Sequence, residues 1–143
     1  MTDLTPAQKC VAHARTIIGA KWRHRGRKPW AIDCIGLVVV SVAAGGIIMR
    51  DRTNYGREPW KDGLRRELVE HFGQPVEGEW LPGDIALIKF EDHPEPGHVG
   101  IIADYAFGGL SLIHSYSRVS VTEHRLDENW RNAIIEVYRP WQS

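Results

Sequence analysis

Two thiols and seven imidazoles are the groups in this 143-residue chain with most chemistry to offer. Cys34 is placed to use it. It follows Asp33, a residue type that caps helices, and opens the apolar run that begins Ile35-Gly36-Leu37-Val38. A thiol in the first turn of a helix faces unpaired backbone N–H groups and the positive end of the macrodipole, which predicts a lowered pKa. The same N–H groups suit the oxyanion of a tetrahedral intermediate. The alternative is that Cys34 is a small core residue, and that is the reading for Cys10, inside an amphipathic pattern. A thiol nucleophile needs a base, and the base needs a group to orient it. His98 opens a strand after the turn Pro96-Gly97, and His114 closes a later one. Antiparallel strands would bring both to the same helix end. His13, His24, His71, His93 and His124 read as solvated or hydrogen-bonded side chains. Zinc held by His93, His98 and His114 would depend on loop geometry, since no paired cysteines assist. The chain is read without metal or cofactor.

The elements that must position these groups are legible in the spacing. Thr5-Pro6-Ala7-Gln8 has a cap residue, a proline for the first helical position and a glutamine for a capping box, which predicts a helix to about residue 18. Residues 20–29 read as a basic loop. A second helix is predicted over residues 34–44, capped by Asp33 and ended by Gly45-Gly46, and apolar nearly all round, hence central and buried. Leu64, Leu68 and Phe72 predict a third between residues 60 and 72. Five strand patterns follow, over residues 84–90, 98–102, 110–114, 118–122 and 133–138. Tight connections between them predict an antiparallel meander. Helices first and strands second give an α+β domain over residues 1–143, with no repeat and no break.

The composition narrows the function classes. Eighteen Lys and Arg balance eighteen Asp and Glu, so no net field draws the chain to nucleic acid or to an anionic membrane. The longest apolar stretch, residues 35–49, is short for a membrane span. The first residues lack the basic start and apolar run of an export signal, which predicts a soluble protein made without one.

Asp33-Cys34-Ile35-Gly36-Leu37-Val38 resembles the cysteine box of the NlpC-type cell-wall peptidases, a papain-like family. Pro82-Gly83-Asp84-Ile85-Ala86-Leu87 resembles their strand-opening turn. Pro96-Gly97-His98-Val99-Gly100-Ile101-Ile102 resembles their histidine box. Leu112-Ile113-His114-Ser115, followed by Val119, Val121 and Trp130, is similar to their third catalytic segment and C-terminal strand. The order holds over residues 7–140. The resemblance implies a half-barrel sheet packed on the cysteine helix, with Cys34 as nucleophile, His98 as base and His114 orienting the imidazole. It implies hydrolysis of an amide bond in peptidoglycan stem peptides, commonly the bond after γ-D-glutamate. Asp33, Trp22 and Gly97 become candidate substrate-binding residues. Two positions depart from the family: Ile35 replaces the usual serine, and Trp22 stands where tyrosine is frequent.

The compact form resembles the branch encoded with phage tails, prophages and gene transfer agents. It implies a virion-tail component, made in the host cytoplasm and acting at the wall beside tail proteins. The competing reading is a tail-tip or hub protein with an idle peptidase fold; a third is a thiol amidase or acyltransferase with another substrate. Lys21, Arg23, Arg25, Arg27 and Lys28 form either a solvated loop or a rim attracting substrate carboxylates. Most of the six tryptophans are expected in the core, with Trp22 and Trp30 lining a cleft or partner surface. The 51–59 connection, carrying Tyr55, is a second candidate partner contact.

Overall fold

A computed structural model describes residues 3–51, 53–56, 63–116 and 119–141. The first helix, α1 (Pro6–Thr16), starts with the expected capping box. The Thr5 hydroxyl accepts from the Gln8 N–H at 3.1 Å, and the Thr5 N–H donates to Gln8 Oε1 at 2.8 Å. Such a cap is worth about 1 kcal/mol. The helix buries Cys10, Val11 and Ala14 and stops short of its expected end. The expected basic loop instead ends in the first strand of a small antiparallel hairpin, β1 (Arg27–Lys28) and β2 (Ala31–Ile32). The second helix, α2 (Cys34–Ala44), keeps its expected bounds, with Asp33 as N-cap and Gly45 as C-cap. It is apolar on most sides because α1 packs on one flank and the sheet on another. The third, α3 (Leu64–Phe72), buries Leu64, Leu68 and Phe72 on one stripe. The expected first turn of that helix, at residues 60–62, lies outside the described residues.

The sheet comprises β3 (Ile85–Ile88), β4 (His98–Asp104), β5 (Leu110–Ser115), β6 (Val121–Arg125) and β7 (Ile134–Tyr138). All neighbours are antiparallel, in the order β6-β5-β4-β3-β7. The first four form the expected meander. The fifth departs from it: a short helix, α4 (Glu128–Ala133), precedes β7, which pairs with β3 at the far edge. The reason lies in β3, where Ile85, Ala86, Leu87 and Ile88 are all fully buried. A strand apolar on both faces belongs inside a sheet, with a neighbour on each side. Alternate residues then divide between two cores. Val99, Ile101, Ala103 and Ile113 pack with α1 and α2. Ile102, Leu112, Ala86 and Ile88 pack with Leu126, Ile134 and Val137. The architecture is the expected α+β, a cysteine-bearing helix packed on an antiparallel sheet.

Candidate active site

Asp33 places the thiol. Its Oδ1 accepts the Gly36 N–H at 2.8 Å, capping α2 so that Cys34 is the first helical residue. The carboxylate is also the anchor of everything around the helix start. Oδ1 takes Arg27 Nη1 at 3.0 Å, and Oδ2 takes the Arg25 N–H at 2.8 Å together with the Tyr55 hydroxyl. Arg27 in turn reaches Asp51 at 3.0 Å. The basic run is therefore partly structural: Arg27 is held by two carboxylates, while Lys21, Arg23 and Lys28 remain exposed. Arg25 adopts a left-handed φ of 63° to present its N–H, a conformation unusual outside glycine. Gly36 has a complementary duty. A Cβ there would collide with the Gly26 carbonyl oxygen and come within 2.9 Å of Arg27 Nη1. Its absence lets the helix abut the hairpin.

Three histidines form a connected line. His98 Nε2 lies 2.7 Å from His114 Nδ1, and His114 Nε2 lies 2.8 Å from His124 Nε2. His124 Nδ1 lies 2.9 Å from the Arg125 carbonyl oxygen. His124 was not among the expected site residues. The expected strand over residues 118–122 would have left it in a loop, but β6 runs from Val121 to Arg125. Leu112 pairs with His124 and His114 with Thr122, so His114 and His124 are diagonal neighbours on one face. That signal was available in the sequence once the strand was shifted. Phe90 packs on His98 at 5.2 Å between ring centroids, and Trp130 on both His114 and His124 at 4.9 Å. Trp130 does so from α4, not from the expected C-terminal strand.

Cys34 and His98 line one cleft of about 350 Å³, together with Trp22, Asp33, Gly97 and Tyr116. All six expected site residues except His114 reach this wall, and His114 stands behind His98. An apolar cavity of about 220 Å³ between α2 and α3 shares Ile35 and Tyr55 but contains no thiol or imidazole. Burial sets the electrostatics. It pushes the Cys34 thiol up to about 12, reinforced by the Asp33 carboxylate and opposed by the N–H groups of Val99, Ile35 and Cys34. The expected lowering by the helix end is thus overridden. Burial holds His98 down at about 3, and His114 at about 2 with added repulsion from His98 and His124. Burial thus favours the neutral forms of the Cys34 thiol and of the His98 and His114 imidazoles. Among the described residues no group of three His, Cys, Asp or Glu side chains is placed to hold a metal.

A sequence model of the NlpC/P60 family matches residues 19–139. The chain belongs to the NlpC/P60 family. Among curated proteins, none matches it in sequence. Among solved structures it is similar to NlpC1 from Trichomonas vaginalis, with a TM-score of 0.71 and 18% identity over 100% of this chain and 47% of that one. NlpC2 from the same organism gives 0.69 and 20% identity, covering 100% of this chain and 49% of the other. An NlpC/P60 family protein from Bacillus cereus gives 0.68 and 17%, covering 95% and 40%. The chain spans less than half the length of these structures, and the likeness establishes the papain-like NlpC/P60 fold.

Within that fold several expectations take a different form. Asp33 lines the cleft, but its oxygens already accept four hydrogen bonds, the full capacity of a carboxylate. Tyr55, expected on a partner-facing connection, is buried against Asp33. Residues 52 and 57–59 of that connection lie outside the described residues. Trp22, Trp80, Trp130 and Trp141 are half-buried and Trp30 is 69% exposed, so among the described residues the core holds fewer tryptophans than expected; Trp60 lies outside those residues.

Proposed function

We propose that the protein is a cysteine peptidase that hydrolyses an amide bond in peptidoglycan stem peptides. The observation carrying this reading is that Cys34, at a helix N-terminus, shares a cleft with His98, whose Nε2 is held by His114. His98 Nδ1 is the nitrogen left for the cleft. As the sulfur attacks the carbonyl carbon, the thiol proton passes to His98 Nδ1. The N–H groups at the start of α2 receive the charge on the carbonyl oxygen. The carbon–nitrogen bond then breaks, and His98 returns the proton to the departing amine. A water molecule, giving its proton to His98, attacks the thioester. The acid product leaves, and the thiolate takes back the proton.

Digestion of purified peptidoglycan with mass analysis of the products tests the reading. Wild type releases fragments ending in a new amine and carboxylate, and Cys34→Ala releases none. Intact peptidoglycan after treatment with folded wild-type protein would favour an idle structural role. The scissile bond is proposed to follow γ-D-glutamate, as the resemblance of the cysteine and histidine boxes implies; Ile35, in place of the family's serine, lines the cleft. We further propose a setting in a phage-like tail that opens the wall for genome delivery. Trp30, exposed at the tip of the β1–β2 hairpin, is the proposed contact with a tail protein. Mass spectrometry of purified particles then finds the chain at a fixed, low copy number, and particles lacking it rule this setting out.

A further inference from the structure

We propose that His124 is a positioning residue: acting through His114, it holds His98 in the tautomer whose Nδ1 lone pair faces the cleft. This rests on the reading of Cys34 as nucleophile and His98 as base. The argument begins at the Arg125 carbonyl oxygen, which can only accept. Its position is fixed, since it also accepts the Asp127 N–H at 3.0 Å, and the Arg125 guanidinium lies over the Tyr105 ring at 5.7 Å. The nitrogen 2.9 Å from that oxygen, His124 Nδ1, must therefore carry a proton. A neutral imidazole has one donor and one acceptor, so His124 Nε2 accepts. The 2.8 Å contact then requires the proton on His114 Nε2. That leaves His114 Nδ1 to accept, and the 2.7 Å contact requires the proton on His98 Nε2. His98 Nδ1 is left bare, as a general base must be. One carbonyl thus sets three imidazoles in series.

The reverse arrangement puts a lone pair of His124 against the Arg125 oxygen and a proton on His98 Nδ1, where it could not accept from a thiol. Without an acceptor at residue 124, the His114 Nε2–H is left buried and unpaired, which is costly. His114 then gains by turning to the other tautomer. In serine peptidases a wrong imidazole tautomer lowers kcat about ten-thousandfold. His124 acts one ring further away and leaves both tautomers accessible, so the expected loss is on the order of 10- to 100-fold.

The test uses the full chain with ¹⁵N-labelled histidine and long-range ¹⁵N–¹H correlation spectra at pH 7. The expected pattern is Nε2–H on His98 and His114 and Nδ1–H on His124. Nδ1–H on His98, or Nε2–H on a neutral His124, overturns the proposal, and this wild-type spectrum decides even if a variant does not fold. His124→Phe is expected to lower kcat on purified peptidoglycan fragments 10- to 100-fold with KM nearly unchanged. It also slows iodoacetamide alkylation of Cys34 and weakens the Nε2–H signature of His114. His124→Gln, whose Oε1 accepts from His114, restores most of both rates. Equal loss in both variants, or an unaltered kcat in His124→Phe, overturns it. If wild type leaves peptidoglycan intact, the peptidase reading fails, whereas the spectra and the alkylation rates still read the tautomers.

Discussion

With the Cys34 thiol held protonated far above neutral pH, its alkylation by iodoacetamide rises continuously through pH 8–9, without the plateau of a preformed thiolate. Cys10, fully buried among α1 and its neighbours, stays unlabelled until the protein unfolds. Equal labelling of the two in the native state contradicts this. Cys34→Ala abolishes hydrolysis and leaves the unfolding midpoint near wild type, and Cys10→Ala leaves activity unchanged. The expected effects are graded along the line His98, His114, His124. His98→Ala costs on the order of a thousandfold or more in kcat, since nucleophile and base act as a unit. His114→Gln or His114→Asn retains part of the activity, because its task is to accept and donate a hydrogen bond. Steady-state kinetics on peptidoglycan fragments checks both. The positions of Cys34 and His98 are the part of the proposed site most legible in sequence, marked by a cap and by a turn, whereas His114 is marked only as the end of a strand pattern. His124 escapes because a three-residue shift in a strand boundary moves it from a loop to the face that carries His114.

At the scale of elements, the start of α2 depends on a carboxylate that the sequence marks only as a cap. Arg27→Met removes one of four donors to Asp33 and leaves the carboxylate under-compensated in a nearly closed site. The expected loss is about 2–4 kcal/mol, read from denaturant unfolding, with activity falling as the helix end loosens. Gly36→Ala is expected to be at least as damaging through its collision with the Gly26 carbonyl. A wild-type midpoint in either variant contradicts the anchoring role. The bounds of α2 were readable because Asp33 and Gly45 punctuate an uninterrupted apolar run. The hairpin was not, since two-residue strands carry no period. Helix α4 hides in Glu128-Asn129-Trp130-Arg131-Asn132-Ala133, a polar stretch too short for a stripe. The neighbour of β7 was unreadable for a different reason: pairing with β3 is a long-range contact, and periodicity carries no information about partners.

For the whole molecule, His98 and His114 make stability depend on acid. The unfolded imidazoles take up protons near 6.5, whereas the folded ones hold out to about 3 and about 2. Between those values the unfolded state binds more protons, so stability falls as pH drops below 6.5. The slope is up to about 1.4 kcal/mol per pH unit for each histidine. Unfolding midpoints at pH 7 and pH 4.5 measure it, and His114→Gln lessens the difference; an unchanged slope in that variant contradicts the assignment. The placement of β7 reaches into synthesis. Cys34, His98, His114 and His124 all precede it, yet β3 gains its second neighbour only when Ile134–Tyr138 docks, and Ala86 and Ile88 share a core with Ile134 and Val137. A nascent chain leaving the ribosome displays every reactive side chain before it can complete the sheet that aligns them. The proposed site is therefore completed late, with the last strand, once translation has passed Tyr138.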